Sequence, residues 1–261
     1  MVQEKDIFNR SALLVGDAVM DKIKKSRVIL FGIGGVGSWC AESLIRSGIG
    51  HLTIVDSDCI SVTNINRQLP ATIEAIGYAK TETLKTRLLT INPHAHITAI
   101  QATYSAENNE QFRLDTYDYI IDAIDSLEHK VSLIIHATRT DAVLFSSMGA
   151  ALKLNTSCIR TAEFWNVQGC PLAAALRRRF RKGILPAKKF YCVYSDEVLE
   201  NKGEPSIFLD NQSAWGKQKV RINGTMVHIT AIFGFTLSGL LIQDIIHKLP
   251  KEMSCLNNSF G

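Results

Sequence analysis

Residues 27–56 read RVILF, GIGGVG, SWCAESLIRSGIG, HLTIVD, and this run decides the fold. Arg27 to Phe31 is a short apolar run rich in branched side chains, the composition of a buried strand. Gly32, Gly34 and Gly37 follow, with Gly35 inside the same turn; then come a helical stretch from Ser38 to Arg46 and a second apolar run, His51 to Val55, closed by Asp56. Strand, glycine turn, helix and strand within about 30 residues form the unit that holds a nucleotide. Glycine allows a tight turn and close backbone approach, and the helix N-terminus offers free N–H groups to a phosphate. Asp56 stands where a ribose hydroxyl would donate. Three glycines can also serve packing alone, but the strand before, the helix after and the acid about 20 residues on favour the nucleotide.

Working outward, apolar runs at His96 to Ile100, Tyr119 to Asp122 and Ala142 to Ser146 alternate with helical patterns at Ala79 to Ile91 and Leu127 to Ala137. The alternation predicts an α/β fold: a Rossmann-like, largely parallel sheet with helices on both faces. The first of those helices puts Leu84, Leu88 and Ile91 on one stripe and stops at Asn92-Pro93. After Gly149 the pattern changes to a strand near Cys158 to Phe164, a basic helix over Pro171 to Lys182, a strand over Phe190 to Ser195, a polar loop over Asp196 to Asn223 and an apolar helix from Met226 to Leu249 before Pro250. Residues 1–150 thus read as the nucleotide-binding portion, and 151–261 as a C-terminal substrate-binding portion of the same domain.

The 261 residues are 46% hydrophobic and 21% charged, enough for a real core and unlike a disordered, collagenous or coiled-coil chain. Six cysteines without a CxxC pair argue against a disulfide framework and a four-thiolate zinc site, and predict a reducing, cytoplasmic setting. The opening MVQEKDIFNR lacks the apolar core of a signal peptide. The apolar stretch from Met226 carries His228, Thr230, Gln243 and Asp244 and reads as a buried helix, so no membrane role is expected. Net charge is +4, but it is unevenly placed. Residues 164–195 hold seven cations (Arg177, Arg178, Arg179, Arg181, Lys182, Lys188 and Lys189) and no Asp or Glu. A short basic run is usually a solvated helix face, yet without balancing acids this one suits a polyanion such as RNA. Phe180, Phe190, Tyr191 and Tyr194 could stack on an unpaired base, although strand aromatics more often belong to a core.

The stretch beyond Asp56 argues against a nicotinamide enzyme. DSDCISVTNINRQ, residues 56–68, concentrates polar groups and a fixed cation for which hydride transfer has no evident use. Arg67 with Lys80 downstream is what a triphosphate needs, because charge building on the phosphates must be offset by preorganised cations. A second acid pair, Asp122 and Asp125 in IIDAIDS, ends another predicted strand, where ligands of parallel sheets bind. Either carboxylate could hold magnesium, and Asp125 could instead cap the following helix.

Together GIGGVG, VDSD, TNINRQ, Lys80 and DAIDS resemble the superfamily of ubiquitin-activating-like adenylating enzymes. The resemblance implies that Asp56 binds the ATP ribose, that Asn64, Arg67 and Lys80 contact the phosphates with Asp58 and Gln68 beside them, and that Asp125 coordinates Mg2+ and promotes adenylation. It also implies a homodimer in which Arg10, in FNRSALLVGDAV, reaches the partner's site. Activators of sulfur carriers in this superfamily usually hold zinc through two CxxC pairs, which this chain lacks. Arg10 to Leu14, SSMGA from Ser146, PLAAALRRR from Pro171, Cys192 to Ser195 with Glu197, and MVHITAIFGF from Met226 look more like the branch of tRNA threonylcarbamoyladenosine dehydratases. That family carries Asp before the proline where this chain has Cys170, so the position receives no polar role. The expected function is ATP-dependent dehydration of the threonylcarbamoyl group on an adenosine beside the tRNA anticodon, with Arg177, Arg178, Arg179, Arg181 and Lys182 holding the tRNA. Adenylation of a ubiquitin-like sulfur carrier and a catalytically silent nucleotide- or RNA-binding adaptor are the alternatives. A sulfur-relay protein partner, a role for Cys192 in acyl or sulfur transfer, and a monovalent cation (Na+ or K+) stay open.

Overall fold

The structure, a computed structural model, describes residues 3–203 and 223–248. In chain order the elements are α1 (Glu4–Ile7), α2 (Asn9–Val15), α3 (Asp17–Lys25), β1 (Arg27–Phe31), α4 (Gly37–Arg46), β2 (His51–Val55), α5 (Lys80–Ile91), β3 (His96–Ile100), β4 (Tyr119–Asp122), α6 (Leu127–Ala137), β5 (Val143–Ser147), β6 (Ile159–Glu163), α7 (Pro171–Lys182), β7 (Tyr191–Ser195) and α8 (Val227–His247). The strands form one seven-stranded sheet in the order β3-β2-β1-β4-β5-β7-β6. Every pair is parallel except β6 with β7, so the β6 edge is antiparallel. Strand order reverses between β1 and β4, and a sheet of this kind opens a crevice at the carboxyl ends of those two strands.

Side chains alternate across the sheet as the strand period of two requires. Val28 and Leu30 of β1 join α4, α5 and α8 in one core, while Ile29 and Phe31 join α6 and α7 in the other. Both faces are therefore covered, which is why the strands read as continuous apolar runs. β6 and β7 belong to the same sheet as β1 to β5, so the described strands after residue 150 extend that sheet rather than forming a separate layer.

Most predicted elements lie within one or two residues of their observed bounds. α1, α2 and α3 had no counterpart in the sequence reading; α1 and α2 bury no residue and α3 only Ile23, so none offers a broad apolar stripe to be read. The predicted polar loop falls partly on residues 204–222, outside the described residues, as does the Leu249 end of the last helix. α8 is long and apolar enough to cross a membrane by length and composition. In the fold, Ile229, Phe233, Leu237, Leu241 and Ile245 are buried in the core shared with α4, β5 and β7. Contact with α4 is close: a Cβ on Gly234 would lie 2.5 Å from the Val36 carbonyl oxygen.

Glu42, nearly buried on α4, joins two helices. Arg87 of α5 donates to both carboxylate oxygens at 2.9 and 3.1 Å, and Arg46 Nε donates at 2.9 Å. Burial pushes the Glu42 carboxyl up, but the two arginines outweigh it and hold it below the usual range. A carboxylate depressed in the folded state adds stability above its unfolded value, and that stability is lost as pH falls through the folded value. Glu42→Gln should therefore cost about 1–2 kcal/mol at pH 7, the partly exposed arginines being screened. Urea unfolding at neutral pH and at about pH 3 should show the difference from wild type shrinking in acid.

Candidate nucleotide site

The glycine turn is built by contacts that exclude side chains. Gly32 has φ +88°, and a Cβ there would lie 2.6 Å from the Ala123 carbonyl oxygen. A Cβ on Gly37 would lie 1.8 Å from Gly32 O. These two glycines let the end of β1, the start of α4 and the link after β4 meet. Gly34 differs: the nearest atom to an added Cβ is Gln68 Nε2 at 3.9 Å, so its lack of a side chain leaves open space over the turn. Gly35 is covered, with Thr230 Cγ2 and Arg67 Cγ 3.1 and 3.3 Å from a Cβ position. At the start of α4 the Ser38 N–H donates to Gly34 O at 3.1 Å and the Cys40 N–H to Val36 O at 3.0 Å, so what suits this end to a phosphate is the positive end of the helix dipole behind the turn.

Asp56 closes the turn from the β2 side. Its Oδ2 accepts the Ile33 N–H at 2.6 Å and its Oδ1 the Asp58 N–H at 2.9 Å. Burial pushes its carboxyl above the ordinary value, opposed by the Lys80 charge and the Asp58 N–H. Lys80 is itself buried at the start of α5, 2.7 Å from Asp58 Oδ2 and 4.0 Å from Asp56 Oδ1. The predicted trio of Asp56, Asp58 and Lys80 is thus brought together, with an acid already neutralising the lysine.

Arg67 lies across Gly35, on the polar crossover after β2. Its Nη1 donates to Thr63 O at 2.8 Å and Asn66 Oδ1 at 3.0 Å, and its own carbonyl accepts from Trp39 Nε1 at 3.1 Å. Burial lowers its value and the charge of Asp125 raises it, so the guanidinium and that carboxylate share one field. Asn64 is buried, and its Oδ1 accepts the Ser61 N–H at 3.1 Å in a reciprocal cap, which makes it a brace for this crossover. Gln68 is also buried, with an Oε1 that has no hydrogen-bond partner. The Gln68 atom that faces Gly34 is Nε2, and the orphaned oxygen on the same amide is a buried acceptor without a donor.

The two acids after β4 separate sharply. Asp122 is fully buried and paired with Lys130 Nζ at 2.8 Å, which corrects the reading that either acid could hold magnesium. Asp125 is exposed at the crevice and is the carboxylate that fits a hard cation. Its cap alternative falls too, because Ser126 is the cap residue of α6. Among the described residues no three His, Cys, Asp or Glu side chains gather as a metal site. One carboxylate plus nucleotide phosphates and water is the usual Mg2+ arrangement, so Asp125 suffices.

Other predicted residues lie elsewhere. Arg10 is exposed on α2, whose preceding Phe8 packs beside Gly48 at the amino end of the sheet, the pole opposite the glycine turn. The basic helix α7 starts near the crevice, where Gly169 abuts Asp196, and runs down the flank. Arg178, Arg179, Arg181 and Lys182 are exposed about 12–18 Å along it. Arg181 also sits over the Trp165 ring, 5.9 Å from its centroid. Arg177 leaves the expected RNA-holding set, because its Nη1 donates to the Phe164 and Val167 carbonyls at 3.4 and 2.8 Å. Lys188 likewise ties the Thr140 and Ala142 carbonyls. Phe180, Phe190 and Tyr194 are core, leaving Tyr191 exposed. Cys192 is fully buried in β7, with no surface open to a substrate, and desolvation pushes its thiol well above the ordinary value. Trp39 and Thr230 were missed, since each acts through tertiary contact that no local pattern announces.

Fold and site together define a Rossmann-like nucleotide-binding protein with a cationic pole and an exposed carboxylate, Asp125, at the sheet crevice. Residues 8–258 match the ThiF family, and the chain belongs to it. It is 38% identical to the tRNA threonylcarbamoyladenosine dehydratase of Bacillus subtilis over 93% of this chain and 95% of the relative. Identity to the enzyme of that name from Escherichia coli is 31%, over 94% and 95%. A crystal structure of the E. coli tRNA N6-threonylcarbamoyladenosine dehydratase in complex with ATP superposes with a TM-score of 0.83 at 30% identity, covering 95% of this chain and 98% of that one. The same enzyme in complex with AMP gives 0.82 at 29% identity, with the same coverage.

The glycines should separate by experiment. Gly37→Ala should fail to fold or lose several kcal/mol, since the clash is backbone to backbone. Gly34→Ala should keep the wild-type unfolding midpoint and bind ATP at least about tenfold more weakly, as calorimetry would record.

Proposed function

We propose that this protein binds ATP and uses it to dehydrate the threonylcarbamoyl group on an adenosine beside the tRNA anticodon, by adenylating that group's carboxylate. The observation that carries the reading is the convergence of Arg67, Lys80 and the exposed Asp125 on a glycine turn open at Gly34. Likeness to dehydratases along nearly the whole chain supports the substrate. A substrate carboxylate oxygen attacks the α-phosphate of ATP, forming an acyl adenylate and releasing pyrophosphate. A nucleophile in the same side chain then attacks the acyl carbon, loses its proton, closes a ring and expels AMP. Water is lost overall, its oxygen leaving with AMP. No enzyme nucleophile is required, which agrees with the buried Cys192.

The chain's work in this reading is positioning and charge compensation. Asp56 exchanges its hold on the turn for a ribose hydroxyl, and Gln68 offers its amide beside Gly34. Lys80 passes from Asp58 to a phosphate, and Arg67 leaves the Thr63 carbonyl for another. Asn64 braces the crossover on which Arg67 sits. Mg2+ at Asp125 would neutralise phosphate charge and orient the pyrophosphate for departure. A monovalent cation and a sulfur-relay partner are not needed for these steps. In the cytoplasm, where its substrate is, exposed Arg178, Arg179, Arg181 and Lys182 would contact tRNA backbone down the flank, setting register rather than reading bases. Residues 151–261 would thus supply the substrate surface.

Arg10 cannot serve its own site from the opposite pole, so a homodimer would bring it to the partner's nucleotide. Adenylation of a sulfur carrier is the lesser reading. A molybdopterin-synthase adenylyltransferase from Haemophilus influenzae is 28% identical over 70% of this chain, a shorter and weaker likeness.

Incubation with ATP, magnesium and tRNA bearing the threonylcarbamoyl group should yield, in digested nucleosides, a product lighter by one water. An unchanged nucleoside mass with active controls would reject the function. Arg67→Ala and Asp125→Ala should reduce AMP formation by about 100-fold or more while the fold survives. Mixing Arg10→Ala chains with Asp125→Ala chains should recover about a quarter of wild-type activity, because half of randomly paired dimers would own one complete site. No recovery after proven subunit exchange would remove Arg10 from the site.

A further inference from the structure

Beneath Asp125 lies an ion pair that none of these roles uses. Lys130 of α6 and Asp122 of β4 are both 0% exposed, with Nζ 2.8 Å from Asp122 Oδ2. The same ammonium donates to the Ile124 carbonyl at 2.9 Å, while Asp122 Oδ1 accepts the Ile124 N–H at 3.1 Å. Ser146 Oγ donates to Asp122 Oδ2 at 2.7 Å and completes the group. Both backbone polar atoms of the residue immediately before Asp125 are therefore fixed by one buried pair. Ala123, the other residue of this link, is wedged against Gly32.

Stability alone is a poor reason for such a pair. Desolvating two ions commonly cancels their attraction, and apolar residues of similar volume often serve as well. Lys130 also occupies the apolar stripe of α6, with Leu133, Ile134 and Ala137, where an aliphatic residue would be ordinary. Its distinctive product is geometric: a short irregular link held from inside the core, ending in the exposed carboxylate.

We propose that Lys130 is a positioning residue for adenylation. Acting through Asp122 and the Ile124 carbonyl, it fixes the place from which Asp125 would receive a phosphate-bound cation. Lys130 touches neither nucleotide nor cation. A group displaced by about 1 Å can cost about 100-fold in rate, so a rigid mount is worth its burial. This inference rests on the adenylation reading.

The test uses the full chain with ATP, magnesium chloride and threonylcarbamoyl-bearing tRNA, and compares wild type with the volume-matched double variant Asp122→Asn/Lys130→Met and with Lys130→Arg. In the double variant, ATP binding in EDTA should stay within about twofold of wild type. Its kcat for AMP formation should fall about 100-fold at a KM for ATP within about threefold, and half-saturation by Mg2+ should rise about tenfold. Lys130→Arg, which keeps the cation, should recover at least about tenfold of that kcat. A folded double variant with kcat and Mg2+ dependence within about threefold of wild type overturns the proposal, as does ATP affinity in EDTA falling in step with kcat. If the double variant does not fold, Ser146→Ala decides. A kcat lowered about three- to tenfold with EDTA affinity unchanged supports the mount, and an unchanged kcat overturns it. A wild-type chain that makes no AMP would defeat the adenylation reading itself, whereas insensitive variants of an active chain defeat this inference alone.

Discussion

At the mouth of β1 the backbone approaches itself so closely that a methyl group on Gly37 would sit 1.8 Å from Gly32 O. Everything at the site is arranged around that contact. It aims the start of α4 across the crevice, and it lets the link after β4 pass within 2.6 Å of where a Gly32 side chain would begin. α8 then lies on α4 through Gly234, so a helix nearly two hundred residues later in the chain brings Thr230 over Gly35. Three distant segments share one small volume because glycine leaves that volume empty.

Charge in the crevice is held in reserve. Lys80 rests on Asp58, Arg67 on a carbonyl and an amide oxygen, and Asp56 on two backbone N–H groups. None of these arrangements leaves a buried charge unpaired, and each offers a partner that a ribose or phosphate can replace. The buried Asp122–Lys130 pair is of another kind, sealed from solvent and bonded to the backbone before Asp125. Exchangeable partners at the surface and a fixed pair below suit a site that must receive a polyanion without shifting its own frame.

Legibility in the sequence followed the range of the interactions. The β1–α4–β2 unit was readable because its glycines, apolar period and terminal acid are all local, and the parallel sheet followed from alternation. Asp56 and Asp125 were expected after predicted strands, Arg67 on the polar run beyond the first of them and Lys80 downstream, and the fold brings these four to one end of the sheet. Which acid stays free was not, because the burial of Asp122 depends on Lys130 and Ser146 reaching it from α6 and β5. The cationic run of α7 gave its charge but not its geometry: Arg177 and Lys188 are bound to carbonyls, and the rest lie along the flank. Lys130 did leave a trace, a lysine within an apolar stripe, that only the structure turned into a role.

The central claim is that the substrate carboxylate, once adenylated, gives one of its oxygens to AMP. Threonylcarbamoyl-bearing tRNA labelled with oxygen-18 in that carboxylate, turned over with unlabelled ATP in unlabelled water, tests it directly. Mass spectrometry of the released AMP should find one heavy oxygen per cyclised nucleoside. AMP carrying none, while the tRNA still loses water, would contradict the account.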